Sequence, residues 1–480
     1  MKQILEPRIT GQTAAVSDDP RWRFHPLAAL VVFAGCLLAL AGCTMMPKYE
    51  RPAAPVAGSF PGATSTNGPS SAGLAWTNFF ADERLNKLIS LALTNNRDLR
   101  VAILNVEESR AEYRVTRAEL FPTVDGTGGY TRSHADRVTS TQWSANLGTT
   151  SWELDLFGRV RSLNRQALEK YFSTDEARRS EQVSLVAEVA TEYFTLRQTE
   201  ELLALSRQTL QTVRESYDLN KALFDAGASS ELDLREAEGQ VQTAKISVTT
   251  YEREKAQAEN DLVLLIGQPL PADLPAPRAF AGTNLLAEIP AGLPSELLQQ
   301  RPDILEAEHT LKAASANIGA ARAAFFPTIS LTASVGESSS QLSKLFGSGT
   351  GVWNFAPQIT VPIFTAGQNK ADLDAAVVSK RIEVANYEKA IQTAFREVSD
   401  ALVGVSSYVE QIGEEAGLVD AQQRRYELAI ARYRQGDDTY LNALTAQQDL
   451  FSAQQGLIQA QYNKLASQIS LYKALGGGWK

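Results

Sequence analysis

Along the middle of the chain, Val189, Leu196, Leu203, Leu210, Tyr217 and Phe224 fall at seven-residue intervals, and Val398, Val405, Ile412, Val419, Tyr426 and Tyr433 repeat the spacing later on. A sustained heptad of this kind predicts long α-helices that pack as left-handed coiled coils. The surrounding segments allow the length. Residues 159–226 hold neither Pro nor Gly, and residues 368–435 hold no Pro and three Gly. At 1.5 Å per residue such a helix runs about 100 Å, more than a globular domain needs. Gly227 and Gly436 then end the helices. Each precedes a further proline-free stretch, so each pair reads as a helical hairpin with its tight turn at the glycine.

A different period appears elsewhere. Ile329, Leu331, Ala333 and Val335 alternate with Ser330, Thr332 and Ser334, while Trp353, Phe355, Ile359, Val361 and Ile363 alternate with Asn354, Gln358 and Thr360. Period two, with one apolar and one polar face, suits a membrane barrel strand. A soluble sandwich edge would give the same pattern. In the first half Trp143, Ala145 and Leu147 keep the alternation, but the phase slips near Thr150, where a bulge or an exit from the sheet is expected.

These patterns occur twice because the chain repeats itself. Phe121-Pro122-Thr123 returns as Phe326-Pro327-Thr328, and an offset four residues longer then pairs Gly158 with Gly367, Gly227 with Gly436, Leu232 with Leu441 and Gly267 with Gly476. A period of about 200 residues is far beyond solenoid repeats and marks a duplicated half-molecule. The organisation expected is a leader 1–42, a tether 43–75, a first repeat 76–267, a linker 268–294 and a second repeat 295–480. In the first repeat a short helix (98–120) leads to a β-hairpin 121–157, a long helix 159–226, a tip near Gly227 and a return helix 228–267. The second holds a short helix (303–325), a β-hairpin 326–364, a long helix 368–435, a tip near Gly436 and a return helix 437–475. The fold class is mainly α with membrane β. Two hairpins supply four strands, whereas a membrane barrel needs at least about eight, so the barrel must be shared between subunits.

Composition narrows the chemistry. Among 480 residues, 46 Lys and Arg face 55 Asp and Glu, which argues against a phosphate-backbone binder. Two Cys (Cys36, Cys43) and three His (His25, His134, His309) cannot build a zinc or redox site, so no metal and no cofactor are expected. Gly347-Ser-Gly349-Thr-Gly351 lacks the helix that a nucleotide loop requires and reads as loop. Near the start, Arg21 and Arg23 precede an uncharged apolar run, Pro26 to Ala41, too short to span a bilayer. The run ends in Leu40-Ala41-Gly42-Cys43, which resembles a bacterial lipobox. That resemblance implies cleavage after Gly42, a covalent lipid on Cys43 (palmitate among its acyl groups) and, with Thr44 next, dispatch to the outer membrane. The alternative is an uncleaved anchor. About twenty residues before Arg21 are more than such leaders carry, which points to a start later than Met1.

In order, Trp76-Thr-Asn-Phe-Phe80, the doubled Phe-Pro-Thr, Leu156-Phe157-Gly158, Gly227-Ala-Ser-Ser-Glu-Leu-Asp-Leu-Arg-Glu-Ala-Glu-Gly239 and Leu475-Gly-Gly-Gly-Trp479 resemble the TolC-type outer-membrane efflux ducts, lipid-anchored branch. The resemblance implies a homotrimer with a 12-stranded β-barrel on a 12-helix periplasmic α-barrel. It implies a non-catalytic channel of a tripartite efflux system, working with a periplasmic adaptor and an inner-membrane resistance-nodulation-division pump, and connects the chain to antibiotic resistance. The gate is then expected where the hairpins converge. Its candidates are Glu231 and Asp233 in the first half, and Tyr433, Asp437, Asp438, Tyr440, Leu441, Asn442 and Thr445 in the second. Leu441 matches a position that narrows the pore, and Tyr433 one that holds the tip closed. Thr445 stands where the family often has an aspartate ring. Asp437 and Asp438 supply acid nearby, either facing the lumen or as solvated turn carboxylates. A non-conducting lipid-anchored coiled-coil scaffold or a periplasmic adaptor is the competing class; an adaptor would carry one hairpin flanked by β-rich domains.

Overall fold

The computed structural model describes residues 44–60, 75–278, 280, 285 and 300–477. The leader, Cys43, residues 61–74 of the tether and most of the linker lie outside these residues. The chain order is α1 (Trp76–Phe79), α2 (Glu83–Asn95), α3 (Arg97–Ala118), β1 (Asp125–Ala135), β2 (Val138–Glu153), α4 (Arg159–Asp225), α5 (Glu231–Ile266), α6 (Pro302–Ala323), β3 (Thr328–Ser339), β4 (Gly351–Thr360), α7 (Gln368–Gln435) and α8 (Tyr440–Ala474). No helix among the described residues is long and apolar enough to cross a membrane.

The long helices α4 and α7 have 67 and 68 residues. Each begins after a glycine in the left-handed region, Gly158 at φ 75° and Gly367 at φ 86°, where a side chain would be strained. Toward the tips, α4 packs along α5 and α7 along α8, and α8 also touches α4, joining the two hairpins. Toward the sheet, α3 and α6 take over against α4, and α6 also packs on α7. Along the first heptad Val189, Leu196 and Leu203 are buried, Leu210 and Tyr217 are half-buried against Val213, and Phe224 is exposed. The seam therefore loosens toward the tip.

One helix was not expected. The first repeat's single short helix is preceded by α2, capped by Asp82, whose Oδ1 accepts the Arg84 and Leu85 N–H groups at 2.8 and 3.1 Å. Its apolar residues Leu85, Leu88, Ile89 and Ala92 lie at helical spacing and are buried in a core with Phe79, Phe80, Val189, Tyr193, Leu262 and Tyr472. A second core gathers Ile304, Leu311, Tyr387, Ile391 and Val398. Between them Arg301 is buried, paired with Asp303 at 2.6 Å and Glu397 at 2.8 Å and donating to the Ala474 carbonyl. At Gly267, φ 74°, a Cβ would stand 2.5 Å from the Asn95 carbonyl oxygen, so only glycine fits where α5 passes the end of α2.

The four strands form one antiparallel sheet in the order β1-β2-β3-β4, the two repeats meeting at β2–β3. Asp136 and Arg137, both at positive φ, make the β1–β2 turn, the geometry of a two-residue hairpin. The β2–β3 register shifts between Thr149 and Trp152, with Ser151 at φ 54° donating its N–H to Thr332 Oγ1. The phase slip in the sequence is this bulge. Every residue of β1 and β4, the two edges, is exposed. Trp353, Phe355 and Ile359 are 79, 61 and 65% exposed in the single chain.

Candidate gate at the hairpin tips

At each tip the same local chemistry turns the chain. The Ala228 N–H donates to the Leu223 carbonyl and the Gly227 N–H to that of Phe224; Asp437 and Gly436 repeat this with Arg432 and Tyr433. This double bond pattern needs a left-handed residue between its donors, and Gly227 and Gly436 sit at φ 72° and 82°.

The starts of the returning helices engage several candidate residues in local polar contacts, with a side-chain cap on α5 and none on α8. Ser230 and Asp233 form a reciprocal capping box. Glu231 pairs with Arg235 at 3.4 Å on the exposed surface. Asp438 Oδ1 accepts from Asn442 Nδ2 at 2.6 Å and from the Thr439 N–H at 2.8 Å, and these bonds hold its carboxyl below the usual range. Its Oδ2 stands 3.6 Å from Arg432 Nε. Asp438 thus serves the turn, while Asp437 is exposed.

The faces of α8 separate the remaining candidates. Tyr440, Ala443, Leu444 and Gln447 are buried, at the i, i+3, i+4 spacing of one helix face. Tyr440, expected among the gate or pore-lining residues, is 3% exposed and packs in a small core with Ala237, Leu444, Tyr217 and Tyr433. It is a tip-core residue, because the first hairpin covers its ring. Leu441 is 54% exposed, Asn442 is exposed, and Thr445 is half-buried with its hydroxyl donating to the Leu441 carbonyl at 2.9 Å. These three share the open face. Leu232, the repeat mate of Leu441, is likewise exposed.

Away from the tips the hairpins are joined by Thr195–Tyr462, Gln198–Gln459 and Gln455–Tyr251 hydrogen bonds, and near the tips by a bond from Tyr433. The Tyr433 hydroxyl donates to Asn220 Oδ1 at 2.6 Å, from α7 to α4, and its ring lies 5.4 Å from that of Tyr440. Burial and the charge of Asp233 push the Tyr433 hydroxyl up, favouring the neutral donor. Asn220 is fully buried, with Nδ2 donating to the Ser216 carbonyl at 2.8 Å. The sequence reading missed Asn220. Its signal is a polar residue three positions after Tyr217 in the heptad, at the second core position, where such residues fix register.

A linked pair of helical hairpins joined to a four-stranded sheet matches known proteins along most of the chain. The outer membrane efflux protein family model covers residues 88–268 and 293–477. The chain belongs to the outer membrane efflux protein family. It is 48% identical over 464 residues to the toluene efflux pump outer membrane protein TtgC of Pseudomonas putida, covering 94% of this chain and 96% of that protein. It is 41% identical over 452 residues to the cation efflux system protein CusC of Escherichia coli, covering 92 and 97%. Among solved structures, the open state of the Neisseria gonorrhoeae MtrE outer membrane channel superposes with a TM-score of 0.85 at 41% identity, covering 91% of this chain and 99% of that one. As a member of the outer membrane efflux family, the chain is a transport component of the outer membrane and not an enzyme. The scaffold and adaptor alternatives are not favoured.

Proposed function

We propose that three copies of this chain close one 12-stranded barrel over a tunnel of coiled coils, and that the tunnel is gated at the hairpin tips. The carrying observation is the sheet. Four strands with both edges unpaired and an apolar face exposed cannot stay alone in lipid, where each unpaired backbone group costs several kcal/mol. Three chains give 12 strands, within the range of membrane barrels, and likeness to the MtrE channel supports that closure.

In this reading Leu441, Asn442 and Thr445 line the constriction, Asp437 adds charge at its mouth, and the Tyr433–Asn220 bond holds it shut. A periplasmic adaptor and an inner-membrane pump complete the tripartite system. The cargo is small organic molecules, drugs or solvents; the name of the toluene efflux protein TtgC supports solvents, and that of the antibiotic efflux protein ArpC of Pseudomonas putida, also 48% identical, supports drugs. Residues 44–51 support the anchor at Cys43. They run along α6, with Arg322 donating to the Met45 carbonyl near the strand end of that helix and Arg51 pairing with Glu308 further down. The Met45 contact thereby sets the start of the described segment beside the last turn of α6, close to the sheet, where a lipid on the preceding residue would reach the membrane.

Electron microscopy of the mature protein in mild detergent tests the assembly. A threefold hollow particle with a helical part about 100 Å long is expected; solid rods or compact particles would refute it. Solvent and drug accumulation in a strain lacking its own outer-membrane channel, with and without this protein, tests the cargo.

A further inference from the structure

A cavity of about 450 Å³ lies between residues 44–49 and the facing helices α4 and α6. It is separate from the gate and from the lumen-lining candidates. Its walls carry Lys48, Arg165 and Lys312 against one carboxylate, Glu169. Glu169 is matched within the wall and behind it: it pairs with Arg165 at 2.5 Å and with His309 Nδ1 at 2.7 Å, and these partners hold its carboxyl low despite burial. Lys312 bonds Glu308 at 3.0 Å and lies over the Tyr49 ring, while Glu308 is itself matched by Arg51. Lys48 is exposed at the rim and enters no ion pair among the described residues. Ser315, on the same wall, is 4% exposed and its hydroxyl finds no hydrogen-bond partner among the described residues. A donor without an acceptor beside surplus positive charge is what a bound anion would complete.

The position selects the anion. A Cβ on Gly319 would meet Met46 and the Ser162 hydroxyl, so the segment from Thr44 lies tight against the last turns of α6, one short step from the start of β3. We propose that this cavity binds the phosphate headgroup of an anionic phospholipid of the periplasmic leaflet, clamping the helix–barrel junction to the membrane beside the N-terminal segment. The proposal rests on the duct reading, which puts that junction at the bilayer surface. Two uncompensated cations at an anionic leaflet correspond to roughly a 30-fold preference for an anionic over a zwitterionic lipid.

The test is native mass spectrometry of the mature protein released from detergent with added phosphatidylglycerol or phosphatidylcholine, beside Lys48→Glu and Lys48→Gln, which sit at the exposed rim and leave folding intact. Expected are retained phosphatidylglycerol adducts, at least tenfold fewer with phosphatidylcholine, and loss of that preference in Lys48→Glu with unchanged melting temperature. Equal retention of both lipids, or unaltered preference in Lys48→Glu, would overturn the site. Displacement by millimolar inorganic phosphate would assign it to a free anion instead. Adducts appearing only in Cys43→Ser would mean that the chain's own acyl group fills the groove, also against the proposal. The same spectra report subunit number, so a trimer without lipid preference refutes the headgroup site alone, whereas absence of a trimer refutes the duct.

Discussion

Replacing Tyr433 by Phe removes one hydroxyl and keeps the ring, so the contact with Tyr440 survives while the 2.6 Å bond to Asn220 Oδ1 is lost. Asn220 is fully buried, and an acceptor stranded there costs about 1–3 kcal/mol. If opening separates the two hairpins at this bond, the penalty falls on the closed state only. Each protomer then shifts toward open by roughly 5- to 150-fold, and three protomers moving together by at least about 100-fold. Conductance of single channels in planar bilayers reads this directly, as does sensitivity of cells to a large hydrophilic antibiotic that an intact outer membrane excludes. Both should rise. The double variant Tyr433→Phe with Asn220→Leu discriminates the cause: with both polar partners gone the stranded acceptor disappears, and most of the closed-state penalty should be recovered. Tyr433→Phe channels with wild-type conductance, or a double variant as leaky as the sum of the singles, would refute the bond as a closing element.

Glu176 is held above the ordinary value of 4.5 by burial. An acid with a raised folded pKa contributes stability that is complete below its unfolded value and lost as pH rises through the folded one. Glu176→Gln should therefore raise the melting temperature at pH 7 and flatten its decline as pH rises above 4.5, measured by calorimetry in detergent. Gly267→Ala combines positive φ with a 2.5 Å clash against the Asn95 carbonyl and should cost about 1–3 kcal/mol, seen as a lowered melting temperature and faster proteolysis near the end of α5. Cys43→Ser should abolish metabolic labelling with palmitate; retained label would place the lipid elsewhere.

Much of the fold was legible because its local chemistry is written in short range. Gly227 and Gly436 are C-cap residues whose role needs only the preceding turn, and the β2 bulge announced itself as a slip in alternation near Thr150. The duplication was readable from repeated tripeptides. Helix α2 left an equally local signal, Asp82 before the spaced apolar residues 85, 88, 89 and 92, and was missed for want of counting rather than of information.

The gate was legible only in outline. Tyr440 and Leu441 are adjacent in sequence and both apolar-faced, yet one is 3% and the other 54% exposed. Their difference is set by Ala237 and Tyr217, which come from the other hairpin. The Tyr433–Asn220 bond spans 213 residues and has no counterpart in the first repeat, where Phe224 stands at the position of Tyr433 and offers no hydroxyl. Periodicity, caps and strand number are properties of the chain and its immediate neighbours, so sequence alone determined the duplicated coiled-coil hairpins, the barrel strands and the need for partners. Which tip side chains are buried and which bonds cross between hairpins depend on contacts between residues far apart in sequence, and only the tertiary structure decided them.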